Sequence, residues 1–560
     1  MSRAAYVADG LALPASRRRF SGLGVFAWLV VALFLLPILT VAAQFFLPER
    51  GTWAHLAATV LPDYLANTFW LVLGVGLVVP LLGTGTAWLT THCRFPGRRL
   101  FVWALILPLA VPGYVMAYAY TDALEVAGPA QVWLRETFGW RVGDYWFPDV
   151  RSLGGAITLL SLVLYPYVYL LARAAFLQQS VCALEVGRTL GLGAYGVFWR
   201  IALPLARPAI VAGTALALME ALADFGTVAF FGVPTFTTGI VRALVALGDP
   251  IAAAQLSTVL LGFVLLVLLL ELWSRRRLRF HHTSSKYRRL PVHELGGWRG
   301  LLACLACLLP VLLGFLLPAG LLLNLWLGKA GGEIDRRFLE WAGNTVILAA
   351  LAASLAVALA LLLAYSVRLA RSRSLTLAVR LAGLGYAMPG TVIAIGTLIA
   401  LAAFDNGLDA LLRELFGIST GLLLTGSLAA LIFAYLVRFL AVSLGTVEAS
   451  LGKVKPALDE VSRTLGVRPA ETLRRVHAPL IWPGVLTALL LVFVDVLKEL
   501  PATLLLRPFN FDTLAVKAYT FATDERLAEA GLPALAIVAV GILPVIVLSV
   551  AAARARPGES

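Results

Sequence analysis

The chain has 560 residues, of which 60% are hydrophobic and only 14% charged, and its net charge is +14. Ordinary soluble proteins carry about 25% charged residues, and a soluble core cannot hide this much apolar surface, so the soluble-enzyme, disordered and fibrous classes are excluded. At about 20 apolar residues per crossing, the composition describes a polytopic membrane protein.

Twelve apolar runs read as spans. In the first half they fall near 24–47, 66–91, 100–121, 153–178, 206–232 and 251–273, and in the second near 298–327, 342–367, 376–403, 419–442, 480–506 and 531–553. The first run follows Arg17, Arg18 and Arg19; its length and the lack of a small-residue cleavage site predict a retained helix, not a signal peptide. Between the halves, the segment RRRLRFHHTSSKYRRL at 275–290 reads as a solvated basic linker, with His281 and His282 as a weaker metal-binding thought. Cys304 and Cys307 spell C-x-x-C inside the apolar run LLACLACLLP, where packing is the better reading than redox or zinc chemistry.

Orientation follows from the basic residues. One alternating set of loops, with both termini, holds 32 Lys and Arg, and the other set holds 12. Both termini are therefore predicted to be cytoplasmic, and the positive charge needs no nucleic-acid partner.

The halves repeat each other. Glu185-Val186-Gly187-Arg188-Thr189-Leu190-Gly191 matches Glu460-Val461-Ser462-Arg463-Thr464-Leu465-Gly466 at an offset of 275, and 10 of the 24 positions from 185 to 208 are identical in the aligned segment. Asn67-Thr68 matches Asn344-Thr345, and Pro112-Gly113 matches Pro389-Gly390, both at 277. Six spans per repeat is an even number, which predicts a parallel duplication about an axis along the membrane normal. The expected fold is all-α: a first repeat over 1–280, a linker over 281–297 and a second repeat over 298–560.

After the fourth span of each half comes a loop with a pattern, at 182–208 and 446–483. Glu185, Gly191 and Pro204 recur as Glu460, Gly466 and Pro479. The spacing predicts a short helix closed by a left-handed Gly, a second short helix, and Pro in the first turn of the next span. This pattern resembles the EAA loop of binding-protein-dependent ABC importer permeases, E-A-A-x-x-x-G-x(9)-I-x-L-P, although both alanines are replaced. The resemblance implies that these residues shape coupling elements docked on a cytoplasmic ATPase dimer. Gly191-Leu192-Gly193-Ala194-Tyr195-Gly196 spells a dinucleotide fingerprint, but no strand precedes it and the second copy lacks it. The sequence also has no G-x-x-x-x-G-K-[ST], so no enzymatic role or cofactor is expected, and any ATP would be bound by a partner subunit.

The fifth spans carry charge. Glu220 and Asp224 align with Asp495 and Glu499, each pair spaced i, i+4 on one predicted helix face. Charges facing lipid cost roughly 3 kcal/mol each on insertion scales, so these acids are expected to face a wet pathway or one another. A salt-bridge network in which Lys498 neutralises Asp495 or Glu499 is the structural alternative, and Ala223 at the matching position leaves the first-half acids without such a partner. The stretches Ala223-Asp224-Phe225-Gly226-Thr227-Val228 and Thr235-Phe236-Thr237-Thr238-Gly239-Ile240 resemble ferric-iron ABC importer permeases, which are fused duplicates of this size. The resemblance implies a bacterial inner-membrane permease served by an extracytoplasmic binding protein, with ferric iron as cargo. Thiamine, sulfate and polyamine permeases share the architecture, and an ion-coupled secondary transporter using the acids as a proton relay is the rival class. No fixed metal site is expected.

Overall fold

The computed structural model describes residues 22–46, 52–179, 189, 191–276, 293–329, 334–370 and 372–554. Most of the basic linker, with His281 and His282, and Glu185 of the first loop lie outside the described residues. Eleven described helices are long and apolar enough to cross a bilayer, and one bent pair makes a twelfth. The all-α expectation holds, with one small addition. Cys93–Arg94 pairs in parallel with His293–Glu294, tying the turn after the first repeat's second span to the end of the linker.

Several predicted spans are broken or shifted, and each difference has a local cause. The run at 100–121 is two helices, Arg98–Ala110 and Gly113–Phe138, bent by 91°. Val111 precedes Pro112 and is driven into the extended region (φ −96°, ψ 114°), because a proline ring clashes with a helical predecessor. Met388 before Pro389 does the same (φ −89°, ψ 137°). The predicted span 376–403 is therefore a short amphipathic helix, Arg373–Ala382, followed by a turn and the crossing helix Gly390–Phe416. The run at 419–442 is shifted to Leu428–Leu451, because Ser427 caps the helix start. Ser152 caps the equivalent helix, Leu153–Gln178, in the first repeat. The fifth spans stop early, at Ala223 and Leu497, and continue as short helices Gly226–Phe230 and Pro501–Leu506.

Pro204 and Pro479 stand in the first turn of the α-helices Leu203–Ala223 and Ala478–Leu497, as expected, but the helical run starts earlier. Long helices begin upstream, and each meets its proline just after a π-helical turn, Phe198–Ala202 before Pro204 and Leu473–His477 before Pro479. A proline lacks an N–H and crowds the carbonyl one turn back, and a widened turn relieves both.

The two repeats are interleaved. One buried core joins the central helices of the first repeat to Cys307, Leu322, Ala534 and Val545 of the second repeat's first and last helices. The other joins the second repeat to Val31, Phe34, Leu256 and Val264 of the first repeat's first and last helices. The crossings are close. A Cβ on Gly396 would sit 2.2 Å from the Pro37 carbonyl oxygen, and one on Gly541 would sit 2.6 Å from that of Ala110. Asn67 and Asn344, the repeated pair, donate to the Pro234 and Asp512 carbonyls at 2.9 and 3.2 Å, fixing the segments after the broken fifth spans.

Candidate functional site

Where the two repeats meet, a cavity of about 120 Å³ is lined by Glu220, Asp224, Asp495 and Glu499 together. All four acids marked in the sequence therefore share one space, but not by lying on regular helix faces. Each chain break turns one acid into the cap of the next short helix. Asp224 accepts from Thr227 Oγ1 at 2.9 Å and from the Val228 N–H at 3.1 Å. Glu499 accepts from the N–H groups of Ala502 and Thr503 and from Thr503 Oγ1, each at about 3.1 Å. Gly113 and Gly390 open the helices that face these acids. A Cβ on Gly390 would meet Glu499 Oε1 and Arg438 Nη1, each at 2.5 Å, so the small residue is required by the approach.

The ion pairs differ between halves. Lys498 Nζ lies 2.9 Å from Asp495 Oδ1, so of the two acids offered by the sequence it takes Asp495. Glu499 instead faces Arg438 at 3.8 Å, both nearly fully buried. Arg438 falls near the end of the predicted span 419–442, and the shifted helix Leu428–Leu451 carries it into the cavity. A lone base inside the run LIFAYLVRFLAV was the available signal. In the first half, Asp224 has only its cap, and Glu220 makes no hydrogen bond or ion pair with the described residues. Tyr167 and Tyr386 complete the wall and were not marked by any sequence pattern. Among the described residues no cluster of three or more His, Cys, Asp or Glu could hold a metal ion, so the cavity is charged without being a closed cage.

The second loop forms a short helix, Ala457–Thr464, closed by Gly466 at φ +72°. Gly191 is likewise left-handed, at φ +79°. Leu458, Val461 and Leu465 stand exposed, at spacings of one helical face. Glu460 is exposed beside them, while its neighbour Asp459 is buried. Asp459 accepts from Arg368 Nε at 2.8 Å and bonds His477 Nε2 at 2.7 Å. Burial alone would raise the Asp459 carboxyl, but these hydrogen bonds outweigh it and hold the group below the usual carboxylate range. Neither Asp459 nor its partners stood out in the sequence, since they lie 91 and 18 residues away.

With this geometry in place, comparison with known proteins is decisive at the family level. Residues 80–279 and 356–557 each match the family described as binding-protein-dependent transport system inner membrane component. The chain belongs to this family. As a member it is a permease-type inner-membrane subunit with two copies of the domain in one polypeptide. It is 27% identical over 537 residues to the Fe(3+)-transport system permease protein FbpB 2 of Haemophilus influenzae, covering 93% of this chain and 97% of that one. It is 31% identical over 196 residues to the molybdenum transport system permease protein ModB of Escherichia coli, covering 34% of this chain and 82% of the relative. It is 25% identical over 268 residues to the sulfate transport system permease protein CysT of Synechocystis, covering 44% and 90%. The fused length thus matches the ferric relative, while the oxyanion relatives align with part of the chain.

Proposed function

We propose that this permease carries ferric iron across the inner membrane, delivered by an extracytoplasmic binding protein and driven by a cytoplasmic ATPase dimer. The single observation that carries the cargo is the cavity between the repeats. Four carboxylates and two basic groups line it, an excess of negative charge that attracts a hard cation and repels an oxyanion. Nearly full-length similarity to a ferric-transport permease supports the same choice. Three of the acids are engaged in caps or ion pairs, so the cavity offers transient oxygen ligands. Passage needs binding weak enough to allow release.

The coupling elements are the loop helix Ala457–Thr464, closed by Gly466, and the matching sequence segment that ends at Gly191 in the first repeat. The exposed face of Leu458, Val461 and Leu465 is suited to a groove on each ATPase, with Glu460 at its edge. Glu185 has the same assignment by its place in the repeat, and Pro204 and Pro479 shape the helices that follow. Both termini lie in the cytoplasm in this reading. One fused chain then supplies one pathway, and its halves rock about the cavity as the ATPases close.

An oxyanion reading draws on the molybdenum and sulfate relatives, and Lys498 and Arg438 are the residues that would favour it. Both are already paired with acids, which weakens it. The test is uptake by right-side-out proteoliposomes that hold the permease, with the ATPase and ATP inside and the binding protein outside. Ferric uptake that follows ATP and ignores an uncoupler supports the proposal. Uptake that collapses with the proton gradient would point to the ion-coupled transporter and sink it.

A further inference from the structure

The second coupling loop is built on an ionic joint. In the second repeat, the Arg368 guanidinium donates to the Leu451 and Val454 carbonyls at 2.7 and 3.0 Å while binding Asp459. His477 is fully buried on the opposite side of Asp459, its Nε2 at the carboxylate and its Nδ1 without a partner. That geometry assigns the imidazole proton to Nε2, since the carboxylate can only accept. Tyr365 donates to the Pro469 carbonyl at 2.9 Å and packs against the His477 ring. Three separate pieces of backbone are thus drawn onto one carboxylate: the end of the fourth span, the docking helix and the π-turn that leads into the fifth span.

At the repeat offsets the first half does not carry these three side chains. Thr91, Leu184 and Ala202 occupy the positions of Arg368, Asp459 and His477, and none is ionisable. At the same level, Trp88 stacks on His92 with centroids 4.1 Å apart and packs on Phe198 at 4.9 Å. An ionic joint holds one geometry, because a buried charge-assisted bond is costly to leave unmade.

We infer that Asp459 is the positioning residue of the second coupling loop, locking the docking helix Ala457–Thr464 to the fifth span so that motion at the ATPase passes rigidly into the helix that bears Asp495 and leads to Glu499. This rests on the coupling assignment above, and the experiment separates the two.

The complete complex of permease, ATPase and binding protein is reconstituted, and ATP hydrolysed per iron ion imported is measured. Asp459→Asn is expected to raise that ratio several-fold, with basal hydrolysis retained. His477→Gln, which keeps an amide donor for the carboxylate, stays near wild type, while His477→Leu behaves like Asp459→Asn. A spin label at Val461→Cys is expected to gain mobility in Asp459→Asn. An unchanged ratio in Asp459→Asn overturns the inference, as does equal behaviour of the two His477 variants. Should Asp459→Asn fail to assemble, the two His477 variants carry the same expectation and the same refutation. If Gly466→Val leaves uptake intact, the coupling reading itself fails; if Gly466→Val abolishes uptake while Asp459→Asn is silent, only the lock is wrong.

Discussion

Replacing Glu499 by Gln removes one charge from the cavity with little change in size, and its cost can be worked from the contacts. Arg438 faces this carboxylate at 3.8 Å, and two of its guanidinium nitrogens have no hydrogen-bond partner, so Glu499 is what balances it. At an effective dielectric of about 20, a pair near 4 Å is worth about 4 kcal/mol. Breaking one side of a buried pair costs about 3–5 kcal/mol, because the other charge is stranded. Asp224 is the contrasting case, since it caps its helix but has no ion pair, and Asn caps nearly as well, for a cost below about 1 kcal/mol. Glu499→Gln is therefore expected to lower the melting temperature of the purified permease clearly more than Asp224→Asn. Adding Arg438→Met to Glu499→Gln should recover most of the loss, since both charges are then gone. Equal shifts for Glu499→Gln and Asp224→Asn, or no recovery in the double variant, would refute the pairing.

Other outcomes follow from single contacts. Glu220→Gln has no ion pair to break, so melting should hold while ferric uptake falls; normal uptake would remove Glu220 from the pathway. Gly466→Val meets no neighbour within 4 Å, so its cost is the left-handed backbone alone, about 1–2 kcal/mol, read as lost uptake with normal membrane insertion. Gly396→Ala would press on the Pro37 carbonyl across the repeat interface, and a melting temperature equal to wild type would contradict that close crossing. The Asp459 carboxyl is held below its unfolded value of about 3.9, so its stabilisation is complete above that pH and is lost as pH falls through the lower folded value. A label on the docking helix should therefore stay immobile from neutral pH to about 4 and loosen only on further acidification.

Sequence carried the large-scale design because apolar runs and a gapless repeat are one-dimensional signals. The duplicated Glu, Gly and Pro spacing marked the loops, and the left-handed Gly191 and Gly466 stand where the spacing put them. The four membrane acids were equally legible, since charge in an apolar run is conspicuous. What sequence could not give was anything set by pairing across distance. Arg438 meets Glu499 from another helix, and Asp459 gathers Arg368 and His477 from two more. Span boundaries failed where hydropathy is blind to backbone geometry, as at Val111-Pro112 and Met388-Pro389. The interleaving of the repeats was also hidden, because a helix's own composition does not say which neighbour it will cross.

The most direct test of the account is a cargo comparison in proteoliposomes holding the permease, its ATPase and its binding protein, with labelled ferric iron and labelled molybdate offered in turn under ATP. The acidic cavity calls for ATP-dependent accumulation of iron, none of molybdate, and loss of the iron signal in the Glu220→Gln variant. Accumulation of molybdate, or iron uptake indifferent to Glu220, would contradict it.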